Sequence, residues 1–167
     1  AFIASLRPQH SIDPDHIDAP DGVTVVGSAP HREVLAHTDV LLTHLHFDHA
    51  GGNTTAVDLP GGEREVRLTF PNATYVVQRG DLEFARHTNE RTRASYIPHN
   101  FEPVAAAGRF RLLEGDGEVL PGIRVRVTPG HVPWHQSVLV SDGPDTLVFL
   151  ADLIPTFDTI NMIGGEV

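Results

Sequence analysis

A mixed domain of α/β or α+β class is what this sequence predicts, and three observations predict it. Its 15 Gly and 13 Pro cut the 167 residues into short elements. Most apolar runs are brief and end at Gly, Pro or Asp, the pattern of short buried strands. Between those runs, residues 79–88 place Leu82, Phe84 and Ala85 on the apolar side of a helix.

Taken in order, residues 1–38 carry turn clusters at Asp13-Pro14-Asp15 and Ala19-Pro20-Asp21-Gly22. They also hold a short apolar run over 23–26 and a helical turn over 31–37. The pattern sharpens at Asp39-Val40-Leu41-Leu42-Thr43, a short buried strand that runs straight into His44-Leu45-His46-Phe47-Asp48-His49 and then Ala50-Gly51-Gly52-Asn53. A strand that ends in polar residues and glycines is a common place for a site. Further strands are expected over 74–77, 110–113, 122–128, 136–141 and 146–150, separated by Gly, Pro or Asp turns. His131 and Asp152 each fall just after one of them.

With 40% hydrophobic and 20% charged residues, the composition fits one compact domain over 1–167, built on one core. The 12 basic residues are all Arg and face 22 acidic ones, for a net charge of −10, so nucleic acid is not an expected partner. No apolar stretch approaches the roughly 20 residues that cross a bilayer, and no basic-then-apolar leader opens the sequence. A cytoplasmic protein without membrane contacts is the expectation. The first residue is Ala, which suggests a processed or partial chain. There is no cysteine, so a metal would have to be held by His, Asp or Glu. Eleven histidines direct attention to that chemistry.

Four of the six residues from His44 to His49 are ligand types. In extended chain, His44 and His46 point to the same side, and Asp48 and His49 follow where the chain turns, so the cluster suits two adjacent metals.

These residues resemble the signature His-x-His-x-Asp-His of the metallo-β-lactamase-fold metallohydrolases. Thr128-Pro129-Gly130-His131 is similar to that superfamily's next histidine motif, and Ala151-Asp152 to its bridging aspartate motif, in the same order. The resemblance covers roughly residues 39–157 and implies an αββα sandwich, here partial, with metals at one edge between two sheets. It implies that His44, His46 and His131 hold a first zinc, that Asp48 and His49 belong to a second, and that Asp152 bridges them. Three neutral imidazoles leave zinc its full charge and an open position for water, whose pKa falls towards about 7. Asp48 is then the candidate catalytic residue, orienting the resulting hydroxide or receiving its proton.

The flavodiiron-type relatives carry glutamate where His46 stands, which favours zinc over a redox di-iron centre, with iron or manganese as other metals. The best-known zinc β-lactamases lack either the counterpart of His49 or the bridging aspartate. Lactonase-, thioesterase- and phosphotriesterase-like branches are therefore closer. The expected activity is hydrolysis of a small ester-like substrate, lactones first. Two alternatives stand beside it: a metal-binding domain without turnover, and a mononuclear iron dioxygenase. The family's second site normally takes one more histidine from a later strand, and this sequence has none after His135. The family's opening strands are also not visible in residues 1–38.

The other candidates have plainer readings. His135 is expected to support the ligands by hydrogen bonding rather than to be one. His10, His16, His31, His37, His87 and His99 lack partner spacing and read as solvated or structural. Arg79, Arg86, Arg91 and Arg93, with Asp81, Glu83 and Glu90, read as a salt-bridged solvent face. Phe47 and Trp134 fit a pocket wall or core packing equally. Asn53-Thr54-Thr55 and Asn72-Ala73-Thr74 match the glycosylation pattern by chance.

Overall fold

The computed structural model describes residues 38–154 and the backbone of two earlier strands. These are β1 (Phe2–Leu6) and β2 (Val23–Val25). β1 pairs with the first motif-bearing strand and β2 with β1, so opening strands are present where the sequence shows none. β1 lies antiparallel between β2 and β3 (Thr38–Leu41), with Phe2 opposite Leu41. The turn clusters of residues 13–22 and the helical turn over 31–37 lie outside the described residues.

β3 pairs in parallel with β6 (Thr74–Gln78), which pairs in parallel with β7 (Phe110–Leu113), completing a five-stranded sheet in the order β2-β1-β3-β6-β7. Parallel strands covered on both sides carry apolar residues at successive positions rather than alternate ones. That is why Val40-Leu41-Leu42 and Tyr75-Val76-Val77 have no polar interruption. Val40, Leu42, Tyr75 and Val77 turn to one face, where they meet Leu82 and Ala85 of α2 (Arg79–Arg86) and Val104 of α3 (Glu102–Ala106). Leu41 and Val76 turn to the other face, against Val119, Ile123, Val125 and Val138 of a second sheet.

That sheet is antiparallel, in the order β11-β10-β9-β8, from β8 (Gly117–Leu120), β9 (Ile123–Val127), β10 (Gln136–Asp142) and β11 (Asp145–Phe149). β9 alternates buried Ile123 and Val125 with exposed Arg124 and Arg126, so only one of its faces is covered. The described layers are therefore α, β and β. All three described α-helices contribute to the core on the far side of the first sheet, the short α1 (Phe47–Ala50) through Ala50. β4 (Thr54–Asp58) and β5 (Arg64–Leu68) form a small separate hairpin. Its turn requires Gly61 and Gly62, at φ +107° and +86°.

Two buried cores lie on either side of one sheet among the described residues, where composition led to the expectation of one. Among the described residues, no helix is long and apolar enough to cross a membrane.

Candidate metal centre

The ends of β3, β9 and β11 converge at one edge of the two sheets. Beyond β3, Leu42 extends the parallel ladder by donating its N–H to the Val76 carbonyl at 2.9 Å, and Thr43 and His44 follow as buried residues. His46 then opens α1, its carbonyl accepting the N–H of His49 at 3.0 Å and of Ala50 at 2.8 Å. One tight turn thus carries His44, His46, Asp48 and His49. β9 delivers His131 from its end, and a 3₁₀ turn after β11, Ala151–Leu153, delivers Asp152. Ala151 takes φ +47°, a conformation L residues rarely adopt, so the backbone immediately before Asp152 is strained.

The side chains meet. Candidate ligand atoms of His44, His46 and His131 lie within 4.8 Å of one another, as do those of His44, His49 and Asp152. The Asp152 carboxylate stands between the two groups, with one oxygen 3.2 Å from His49 Nε2 and 3.3 Å from His131 Nε2. His46 Nδ1 is 3.1 Å from His131 Nε2. The Asp48 carboxylate, more than half exposed, is 3.6 Å from His49 Nε2 and belongs to neither group. All six residues expected from the sequence are thus at this edge, with Asp48 at the rim.

Residues of this kind suit a divalent metal. His44 is fully buried, with Nδ1 3.2 Å from Thr43 Oγ1, yet its Nε2 has no hydrogen-bond partner among the described residues. An orphaned buried nitrogen is costly unless a ligand takes it up. Burial, then the neighbouring His49, His46 and His131, lowers the His44 pKa from 6.5 to about 2. Burial and His131 lower that of His46 to about 4, although Asp48 pulls the other way. Both imidazoles are therefore neutral near pH 7, the form that binds metals.

His135 lies beside the cluster, but its side chain bonds to Thr128 rather than to a ligand, and its buried Nε2, like that of His44, has no hydrogen-bond partner among the described residues. His135 is fully buried, its ring 5.3 Å from that of His44, and its Nδ1 is 2.8 Å from Thr128 Oγ1. The bland readings of His87 and His99 agree with their exposure, and His87 Nδ1 approaches the Glu83 carbonyl at 2.9 Å. Phe47 is half exposed rather than in the core. Trp134, 42% exposed, covers Gly80 so closely that a Cβ there would lie 2.2 Å from the indole. Asn53 is buried and donates to the Asn100 carbonyl at 3.1 Å, which does not suit a glycosylation acceptor.

The solvent face expected of α2 needs correction. Arg79 and Arg86 do form ion pairs, but with Glu114 and Glu102 from other segments, and Glu83 is exposed. Asp81 is fully buried. The signal for this was its spacing: Gln78, Asp81, Leu82 and Ala85 fall at i, i+3, i+4 and i+7, one stripe of the helix. Gln78 and Gln136 are two further buried polar residues that sequence reasoning passes over. Gln136 Nε2 donates to the Leu42 carbonyl at 2.8 Å and its Oε1 accepts from Gln78 Nε2 at 2.7 Å, tying the end of β3 to the start of β10.

The chain belongs to the metallo-beta-lactamase superfamily, whose family model matches residues 31–166. It is 33% identical over 111 residues to the N-acyl homoserine lactonase of Bacillus cereus, a match covering 66% of this chain and 36% of that protein. To the N-acyl homoserine lactonase AiiA of Bacillus thuringiensis subsp. kurstaki it is 36% identical over 111 residues, with the same shares covered. Among solved structures, a probable metal-dependent hydrolase from Staphylococcus aureus aligns with a TM-score of 0.57 and 29% identity, over 66% of this chain and 36% of that one. The chain therefore spans about a third of the length of these relatives.

Proposed function

We propose that this chain carries the metal-holding part of a zinc-dependent hydrolase that opens a small ester-like substrate, a lactone in the first instance. The observation that carries the reading is the Asp152 carboxylate set between His49 and His131, beside the neutral imidazoles of His44 and His46. The lactonase relatives point to the substrate class.

In this reading His44, His46 and His131 would hold one zinc, His49, with Asp48 at the rim, would belong to a second, and Asp152 would lie between the two. When bound, zinc supplies a Lewis acid that polarises a carbonyl oxygen and lowers the pKa of coordinated water towards about 7. The residues of this chain do the rest. Neutral histidines add no charge to the site, and the carboxylates of Asp48 and Asp152 offset part of that of the metals. Asp48, exposed at the rim, orients water and takes its proton, the general-base role. The half-exposed ring of Phe47, next to Asp48, offers an apolar surface to the substrate.

The test is a zinc-loaded preparation of the protein assayed for ring opening of an N-acyl homoserine lactone, with Asp48→Asn in parallel. Turnover that requires zinc and falls about 10²- to 10⁴-fold in Asp48→Asn, in line with general-base contributions, supports the reading. Zinc binding without turnover on lactones, esters, thioesters or phosphotriesters would instead favour a binding role. Oxygen uptake with bound iron would favour the dioxygenase alternative.

A further inference from the structure

Asp81, on α2, lies behind the metal loop rather than in it, and its burial has a purpose the ligand set does not explain. One carboxylate oxygen accepts the backbone N–H of Leu45 at 2.7 Å, and the other accepts the Tyr96 hydroxyl at 3.2 Å. Leu45 is the single residue between His44 and His46. Its side chain is buried in the helix-side core with Leu82, Ala85 and Tyr96, so the loop is pinned on the side away from the histidines. Tyr96 touches the site from a second direction, its ring edge-on to His46 with centroids 4.7 Å apart.

We propose that Asp81 is a positioning residue for the metal centre, with Tyr96 as its strut, and this rests on the metal-site reading above. In extended chain, alternate residues face opposite sides, so holding the Leu45 peptide and seating its side chain inward sends the His44 and His46 side chains outward together. A carboxylate accepting a backbone N–H makes a short, directional, charge-assisted bond, stronger than a neutral acceptor would give. Burying a carboxylate is costly, and burial raises the Asp81 pKa to about 7 against the opposing pull of its two donors. A cost of that kind is retained where the geometry it enforces is needed. Groups that orient metal ligands typically change metal affinity by about 10- to 100-fold when removed.

The experiment measures zinc affinity by competition with a chromophoric chelator, and the visible spectrum of the cobalt-substituted protein. It compares the full protein with Asp81→Asn, Asp81→Leu and Tyr96→Phe, with thermal unfolding recorded for each. Asn is the conservative variant: its amide oxygen accepts from Leu45 while its NH₂ donates to the Tyr96 oxygen. Asp81→Asn should keep zinc affinity within about threefold, since the bonds survive. Asp81→Leu should lose about 10- to 100-fold and show an altered cobalt spectrum. Tyr96→Phe should lose a few-fold, on the order of one hydrogen bond. A folded Asp81→Leu protein with wild-type zinc affinity and an unchanged cobalt spectrum would overturn the proposal. If that variant does not fold, Tyr96→Phe decides: wild-type affinity and spectrum there overturn it equally. Failure of the unsubstituted protein to bind zinc or cobalt is a different result, because it removes the metal-site reading itself.

Discussion

Replacing Gln136 with Ala tests whether the buried amide pair fixes the two halves of the metal edge. The side chain is fully buried and makes two bonds, donating to the Leu42 carbonyl at 2.8 Å and accepting from Gln78 at 2.7 Å. Each contributes about 1 kcal/mol net, and the Leu42 carbonyl, left buried without that donor, adds about 1–2 kcal/mol more. The backbone bond from Gln136 N–H to the Thr43 carbonyl, 2.9 Å, is untouched, so strand pairing is not the quantity measured. The total, about 3–4 kcal/mol, is a large part of the 5–15 kcal/mol typical of a domain. Urea unfolding of Gln136→Ala, Gln78→Ala and the double variant reads it directly. Because the two amides share one bond, the double variant should fall short of additivity by about 1 kcal/mol. A Gln136→Ala loss below about 1 kcal/mol, or full additivity, would refute the role assigned to the pair.

Asp152→Ala should lower bound zinc and hydrolysis together, since one carboxylate serves both ligand groups; metal analysis alongside the activity assay checks it, and unchanged zinc content would remove the bridging role. Calorimetric titration of zinc into the protein should show one tight site and one weaker, because Asp48, more than half exposed and 3.6 Å from His49 Nε2, belongs to neither ligand group. Stability of the metal-free protein should fall as pH drops below 6.5. His44 and His46 stay neutral in the fold while the unfolded chain takes up protons, so their contribution is present above 6.5 and lost through about 4 for His46 and towards about 2 for His44. Asp81 acts in the opposite sense: its folded pKa of about 7 lies above 3.8, so its contribution is full below 3.8 and disappears as pH rises through 7. Urea midpoints across this range should therefore show a net loss on the acid side, and a steeper one in Asp81→Asn. Gly80→Ala should push the sole tryptophan, Trp134, off α2, seen as a red-shifted emission spectrum; an unchanged spectrum would contradict the contact.

What the sequence made legible follows burial. Strands covered on both faces, such as β3 and β6, announce themselves as unbroken apolar runs, and the ligands at their ends stand out by residue type. The elements that escaped are those without a one-sided apolar pattern. β4 and β5 are mostly exposed, with sequences Thr54-Thr55-Ala56-Val57-Asp58 and Arg64-Glu65-Val66-Arg67-Leu68, so their pairing comes from the Gly61-Gly62 turn rather than from hydrophobic alternation. β8 begins at Gly117 and α3 is five residues long with a proline in its first turn, both weak local signals. Asp81, Gln78 and Gln136 escaped for a different reason. Polar residues are expected outside, and only the tertiary arrangement supplies the partners that make their burial tolerable.

The most direct measurement is anomalous diffraction at the zinc edge from crystals of the zinc-loaded protein. A strong peak bounded by His44, His46 and His131 is expected, with a weaker one on the His49 side of Asp152. Zinc peaks remote from this edge, with none within coordinating distance of His44, would contradict it.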